Sequence, residues 1–160
     1  MSVTIKSAIK EQLQLTRIIF LALVAGMIIL FIVAMVIIQS NQISVDHNLD
    51  KMFMYIIPVF GLAVMFLSRF FYNVTLAKLI GYSDLMKKIT GYRTTKIISW
   101  AIIESACILA LLAAMLTYNY LYIAVFIFLF GYFILIRPSK EFLIRDLGLK
   151  SEESELILKS

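Results

Sequence analysis

The sequence predicts an all-α polytopic membrane protein: four transmembrane helices plus short cytoplasmic amphipathic helices, forming a single domain over residues 1–160. Three observations predict it. Of 160 residues, 62% are hydrophobic and 16% are charged, against about 25% charged in an ordinary soluble domain. The hydrophobic residues gather in four long runs almost free of charge. The basic residues gather in alternate connections between those runs, as they do in chains threaded back and forth through a bilayer. The same composition excludes a disordered chain and a disulfide scaffold, because a single cysteine cannot form a bridge within the chain.

A span needs roughly 20 apolar residues to cross about 30 Å of hydrocarbon. The first run, 18–38, carries no charge and follows Lys6, Lys10 and Arg17. Its apolar core is longer than that of a cleaved signal peptide, and no small-x-small cleavage site follows, so a retained signal-anchor is expected. Ala22 and Gly26 within it make a weak small-residue contact site. The loop from Gln39 to Lys51 is polar and holds His47. A lone histidine lacks the convergent ligands a metal needs, so a solvated loop without metal is expected.

The second run, 52–72, is interrupted only by Arg69. Pro58 is expected to kink it, and Gly61 offers a close approach. In the connection from Asn73 to Lys96, Leu79, Tyr82, Met86 and Ile89 recur at helical spacing. This predicts a short amphipathic helix, broken at Gly81 or Gly91, resting in the inner interface.

The third run, 97–117, is apolar except for Ser99, Glu104 and Ser105. On a helical projection Ala106, Ala110, Ala113, Ala114 and Thr117 form one stripe of small residues, a helix-packing interface. Trp100, Glu104, Cys107, Ile108 and Leu111 lie roughly opposite. Both faces prefer protein to lipid, so one is expected to pack within the monomer and the other against another subunit. The fourth run, 120–136, ends at Arg137-Pro138.

The cytoplasmic tail, 137–160, shows helix punctuation. Ser139 suits an N-cap, Glu141 the first turn and Gly148 the C-terminal end, with Phe142, Leu143 and Leu147 on an apolar side. A last helix is expected to start at Ser151, with Leu156 to Leu158 as a frayed end.

Soluble helical bundles show a polar stripe at the 3.6-residue period; the first, third and fourth runs show none. Lys and Arg resist translocation. Apart from Lys51 and Arg69, every basic residue falls on one side, which places both termini in the cytoplasm. The net charge of +5 is then topogenic. No basic patch interleaved with aromatics speaks for nucleic acid. Tyr118, Tyr120, Tyr122 and Tyr55 are expected as anchors at the outer interface, with Tyr72 and Trp100 toward the inner one.

Charges within spans are costly and mark function by default. Arg69 and Glu104 both enter from the inner side, at depths about 6 Å apart at 1.5 Å per residue; they are expected either to form an intramembrane polar pair or to act separately, Arg69 snorkelling to the inner headgroups and Glu104 protonated. Other chemistry lacks its residues. Haem held by two histidines is excluded because the one histidine lies outside the runs. Cys107 has no second thiol for disulfide exchange. No metalloprotease helix, phosphate-cradling glycine loop or nucleophile elbow occurs. No catalytic, cofactor-binding or metal-binding residue is therefore assigned.

The segment YRTTKIISWAIIESACILALLAAMLT (92–117), followed by RPSKEFLIRDLGL (137–149), resembles a group of uncharacterised small four-span bacterial inner-membrane proteins. Their pattern has a Tyr-Arg entry, a Glu midway in the third span, and an Arg-Pro-x-Lys-Glu stop followed by Asp-Leu. The resemblance covers roughly the C-terminal half. It implies a bacterial cytoplasmic membrane and includes Glu104 and Arg137 in the shared pattern, with no assigned activity. The expected role is non-catalytic: a structural or accessory subunit in the bilayer, packed against other membrane subunits or copies of itself. The alternative is a small proton-coupled transporter using Glu104.

Overall fold

A computed structural model describes residues 2–40, 47–149 and 151–158. Among them all regular structure is helical, in six helices: α1 (Ser2–Ser40), α2 (His47–Ile80), α3 (Leu85–Thr117), α4 (Tyr120–Leu135), α5 (Lys140–Leu147) and α6 (Ser151–Leu158). Three stretches are long and apolar enough to cross a membrane: Ser7–Ser40, Asn48–Ile80 and Leu85–Thr117. A fourth follows if α4 and α5, bent by 74° at their break, count together. Each of the four apolar runs is helical, the fourth as far as Leu135 and the second continuing through Pro58, because a long apolar run satisfies its backbone most readily within itself.

The connection after the second run departs from expectation. No separate amphipathic helix forms there. Instead α2 continues to Ile80 and α3 starts at Leu85. The break falls at Gly81. Asp84 starts α3 by accepting from the Met86 amide at 2.9 Å. Gly91 does not break α3. It sits against Leu79, whose Cδ2 would lie 2.3 Å from a Cβ at that position. The apolar spacing from Leu79 to Ile89 thus belongs to two helices packed together rather than to one lying flat. His47 likewise opens α2 instead of lying in a loop, and the preceding loop residues 41–46 lie outside the described residues.

Contacts divide the chain into two compact units, to both of which α1, α2 and α3 contribute. The first comprises Met1–Leu21, Arg69–Ser99 and Arg137–Ser160. Its core is Ile9, Tyr72, Leu79, Ile89, Tyr92, Leu143, Leu147 and Ile157. The tail helices take part in it. Ser139 caps α5 by accepting from the Phe142 amide, and Gly148 ends α5 in the left-handed conformation at φ 57°. Leu143 and Leu147, one turn apart, are buried while Glu141 and Arg145 are exposed. Ile157 is wholly buried, so the end of α6 is packed and not frayed.

The second unit comprises Ala22–Ser68 and Trp100–Ile136. Here α4 is packed against the other three helices. Phe126 stacks on Phe31 of α1, with ring centroids 5.3 Å apart. Leu129 approaches Gly61 of α2, where a Cβ would meet it at 3.3 Å. Phe133 meets Trp100 of α3 at 6.5 Å. Gly26, by contrast, has open space where its side chain would be among the described residues, and Ala22 is exposed.

Candidate functional site

The most chemically distinctive cluster lies in the first unit. Tyr72 stands near the end of the second apolar run; Tyr92 and Lys96 lie one turn apart on α3, and Asp146 lies on α5. The Tyr72 hydroxyl donates to Asp146 Oδ2. Asp146 Oδ1 accepts from Arg145 Nε at 3.3 Å. The Lys96 ammonium lies over the Tyr72 ring at 4.5 Å and the Tyr92 ring at 5.5 Å. The two rings meet edge to face, 6.4 Å apart.

Lys96 is only 7% exposed, although it immediately precedes the third apolar run. Its charge is partly supported by the negative faces of the two rings. Burial still draws its ammonium down to about 8; nearby Asp146 opposes this, and Arg69 and Arg145 add to it. The arrangement holds a cation and a carboxylate inside a small apolar core. Its direct mechanical effect is to tie the tail helix α5 to α2 and α3.

A second polar cluster, in the second unit, joins the start of α2 to the start of α4. Asp50 accepts from Asn119 Nδ2 at 3.0 Å and from the Tyr122 hydroxyl at 2.8 Å. The Asn119 side chain also caps α4, accepting from the Leu121 amide at 2.9 Å. Asn119 thereby uses both ends of its amide, one for the helix and one for Asp50.

These clusters revise the expected aromatic belt. Tyr55 and Tyr120 are exposed as anchors should be. Tyr72, Trp100 and Tyr122 are buried and hydrogen-bonded, the Trp100 indole donating to the Ile136 carbonyl at 3.3 Å. A ring with a polar tip suits a lipid interface and a half-polar core equally, and spacing along the chain does not separate the two. The Tyr92 to Lys96 spacing on one helix face was the available signal for the first cluster. Asp146, 74 residues beyond Tyr72, gave none.

Of the expected polar pair, Arg69 is exposed and belongs to the first unit, while Glu104 is half-buried and belongs to the second. Ala106, Ala110, Ala113, Ala114 and Thr117 are all buried, and the Thr117 hydroxyl donates back to the Ala113 carbonyl at 2.8 Å. On the opposite face Trp100, Cys107 and Leu111 are buried too. Among the described residues no group of three His, Cys, Asp or Glu side chains is placed to hold a metal.

Comparison with protein-family models, with curated proteins and with solved structures finds no match for this chain.

Proposed function

We propose that this chain is a four-span integral protein of a bacterial cytoplasmic membrane, with both termini cytoplasmic, serving as a non-catalytic accessory subunit. Its crossing segments are 18–38, 52–72, 97–117 and 120–136, and the tail 137–160 returns to the cytoplasmic side. In this proposal the chain is a single domain, to which no cofactor and no nucleic acid are assigned.

The observation that carries this reading is the apolar surface of α1 and α2. Tyr55, Val59, Leu62 and Phe66 follow one another along one face of α2, and each is more than half exposed. Ile18, Leu21, Ile29, Ile32 and Val36 do the same along α1. Contiguous apolar surface of this kind is a liability in water and marks a lipid or protein interface. The small-residue stripe of α3 and, opposite it, Trp100, Cys107 and Leu111 are buried within the chain, with Glu104 half-buried, so apolar partner contacts fall to the outer faces of α1 and α2. Arg69 and Glu104 are the candidates for polar contacts within the bilayer.

The test is purification of the tagged chain from its native membrane in mild detergent, followed by native mass spectrometry. A defined hetero-complex or a discrete homo-oligomer is expected. A monodisperse monomer without partner overturns the accessory role. Movement of a solute in liposomes, abolished in Glu104→Gln, replaces it with proton-coupled transport. A terminal reporter active only after export overturns the orientation.

A further inference from the structure

A cavity of about 210 Å³ opens in the first unit, walled by α1, the first turns of α3 and the start of α5. Lys10 and Arg17 of α1, Arg93 of α3 and Lys140 of α5 all line it. Among the described residues no aspartate or glutamate does. Glu11 and Glu141 are next in sequence to two of the lysines and stay outside the lining. Four cations converging on one concavity repel each other and focus a positive field into it.

One detail gives the cavity the character of a site. The Nε of Arg93 is buried and has no hydrogen-bond partner among the described residues. A buried donor of a charged group left without an acceptor is costly, and a bound anion removes that cost. The start of α5 also reaches the cavity through Ser139 and Lys140; the Glu141 carboxylate already occupies the helix end itself, bonded to Ser139, and the Lys140 ammonium reaches the Leu158 carbonyl at 3.4 Å, so the ligand field comes from the side-chain cations rather than from the helix dipole.

We propose that this cavity binds a phosphate group, with Arg93 and Lys140 as its principal partners and the exposed Lys10 and Arg17 completing the field. The guanidinium fork and the ammonium suit phosphate oxygens, which accept several hydrogen bonds at once. The same chemistry is offered by an anionic phospholipid headgroup and by free phosphate. Basic cavities on the cytoplasmic side of membrane helices are a known setting for the former. The site goes beyond the accessory role proposed above and stands on the cavity lining alone, so it fails or survives independently of the topology and complex tests.

The experiment uses the full-length protein in nonionic detergent, with inorganic phosphate and phosphatidylglycerol as probes and phosphatidylcholine as the uncharged-headgroup control. Binding is read by equilibrium titration, with monodispersity checked by size exclusion. Arg93→Gln/Lys140→Gln removes the principal partners. Lys10→Gln/Arg17→Gln removes two exposed cations and leaves the core intact, so a folding defect in the first variant does not decide the result. Each double variant is expected to weaken binding about tenfold or more, while Lys78→Gln/Lys87→Gln, outside the cavity, changes it little. Phosphatidylglycerol binding without phosphate binding assigns the site to a lipid headgroup. Phosphate binding of similar strength assigns it to the free anion. If neither probe binds in preference to phosphatidylcholine, or if the outlying variant weakens binding as much as the cavity variants, the proposal is overturned.

Discussion

The Tyr72 hydroxyl donates to the carboxylate of Asp146, 74 residues further along the chain. Through this bond the tail helix α5 is held to α2, inside a core that also receives Lys96 from α3. Hydrogen bonds to charged groups contribute roughly 1.5–3 kcal/mol. Tyr72→Phe is therefore expected to lower stability by about 1–2 kcal/mol and to speed proteolysis at Lys140 and Arg145. Asp146→Asn should cost at least as much, since it also removes the carboxylate beside Lys96. A double-mutant cycle in detergent, read by thermal unfolding, should show the two effects to be coupled; strict additivity would refute the bond.

Lys96 predicts a dependence on pH. Its ammonium, near 8 when folded, returns to its ordinary value near 10.4 when unfolded. Between these values the unfolded chain binds more protons, so stability rises with pH, by at most about 1.4 kcal/mol per unit. Burial raises the Tyr92 phenol, which opposes this only above about pH 10. Thermal unfolding between pH 8 and 10 should show the rise in the native chain and lose it in Lys96→Met. An equal slope in both proteins would refute the assignment.

The clamp on Asp50 predicts an order of effects. Tyr122→Phe removes one donor and leaves the carboxylate with Asn119, at a cost of about 1 kcal/mol. Asp50→Ala strands the Asn119 amide and leaves the Tyr122 hydroxyl only the backbone carbonyl of residue 50, 3.0 Å away, and should cost roughly 1–3 kcal/mol, more than Tyr122→Phe. Unfolding temperatures of the two variants check the order.

Glycines and alanines separate packing from propensity. Gly131 faces open space, so Gly131→Ala should stabilise by up to about 1 kcal/mol through helix propensity. Gly91→Ala should forfeit that gain, because Leu79 is buried and has to move. Ala110→Leu, at a fully buried site, should cost about 1–3 kcal/mol, whereas Ala101→Leu, on the exposed side of α3, should be near neutral. Equal melting shifts for the two alanine variants would contradict the packing described.

Local signals translated well into structure. Ser139 and Gly148 bound α5, and Ser151 opens α6. Each of these depends on hydrogen bonds reaching only a few residues. Gly61 is a close-approach point to Leu129, while Gly26 meets no side chain among the described residues, because whether a small residue meets a neighbour depends on which helix lies opposite. The same reason explains Tyr72, Trp100 and Tyr122. Their composition fits a lipid interface, and only the placement of Asp146, Ile136 and Asp50 turns them inward.

From composition and periodicity alone follow the helical class, the four apolar runs, the tail helices and the segregation of basic residues, because each arises from hydropathy and short-range bonding along one chain. Tertiary packing decided the rest. It made Lys96 part of a core, gathered Lys10, Arg17, Arg93 and Lys140 around one cavity, and buried the small-residue stripe of α3 together with Trp100, Cys107 and Leu111 opposite it. Those arrangements join residues far apart in order, and the energy of such contacts exists only once the helices have found one another.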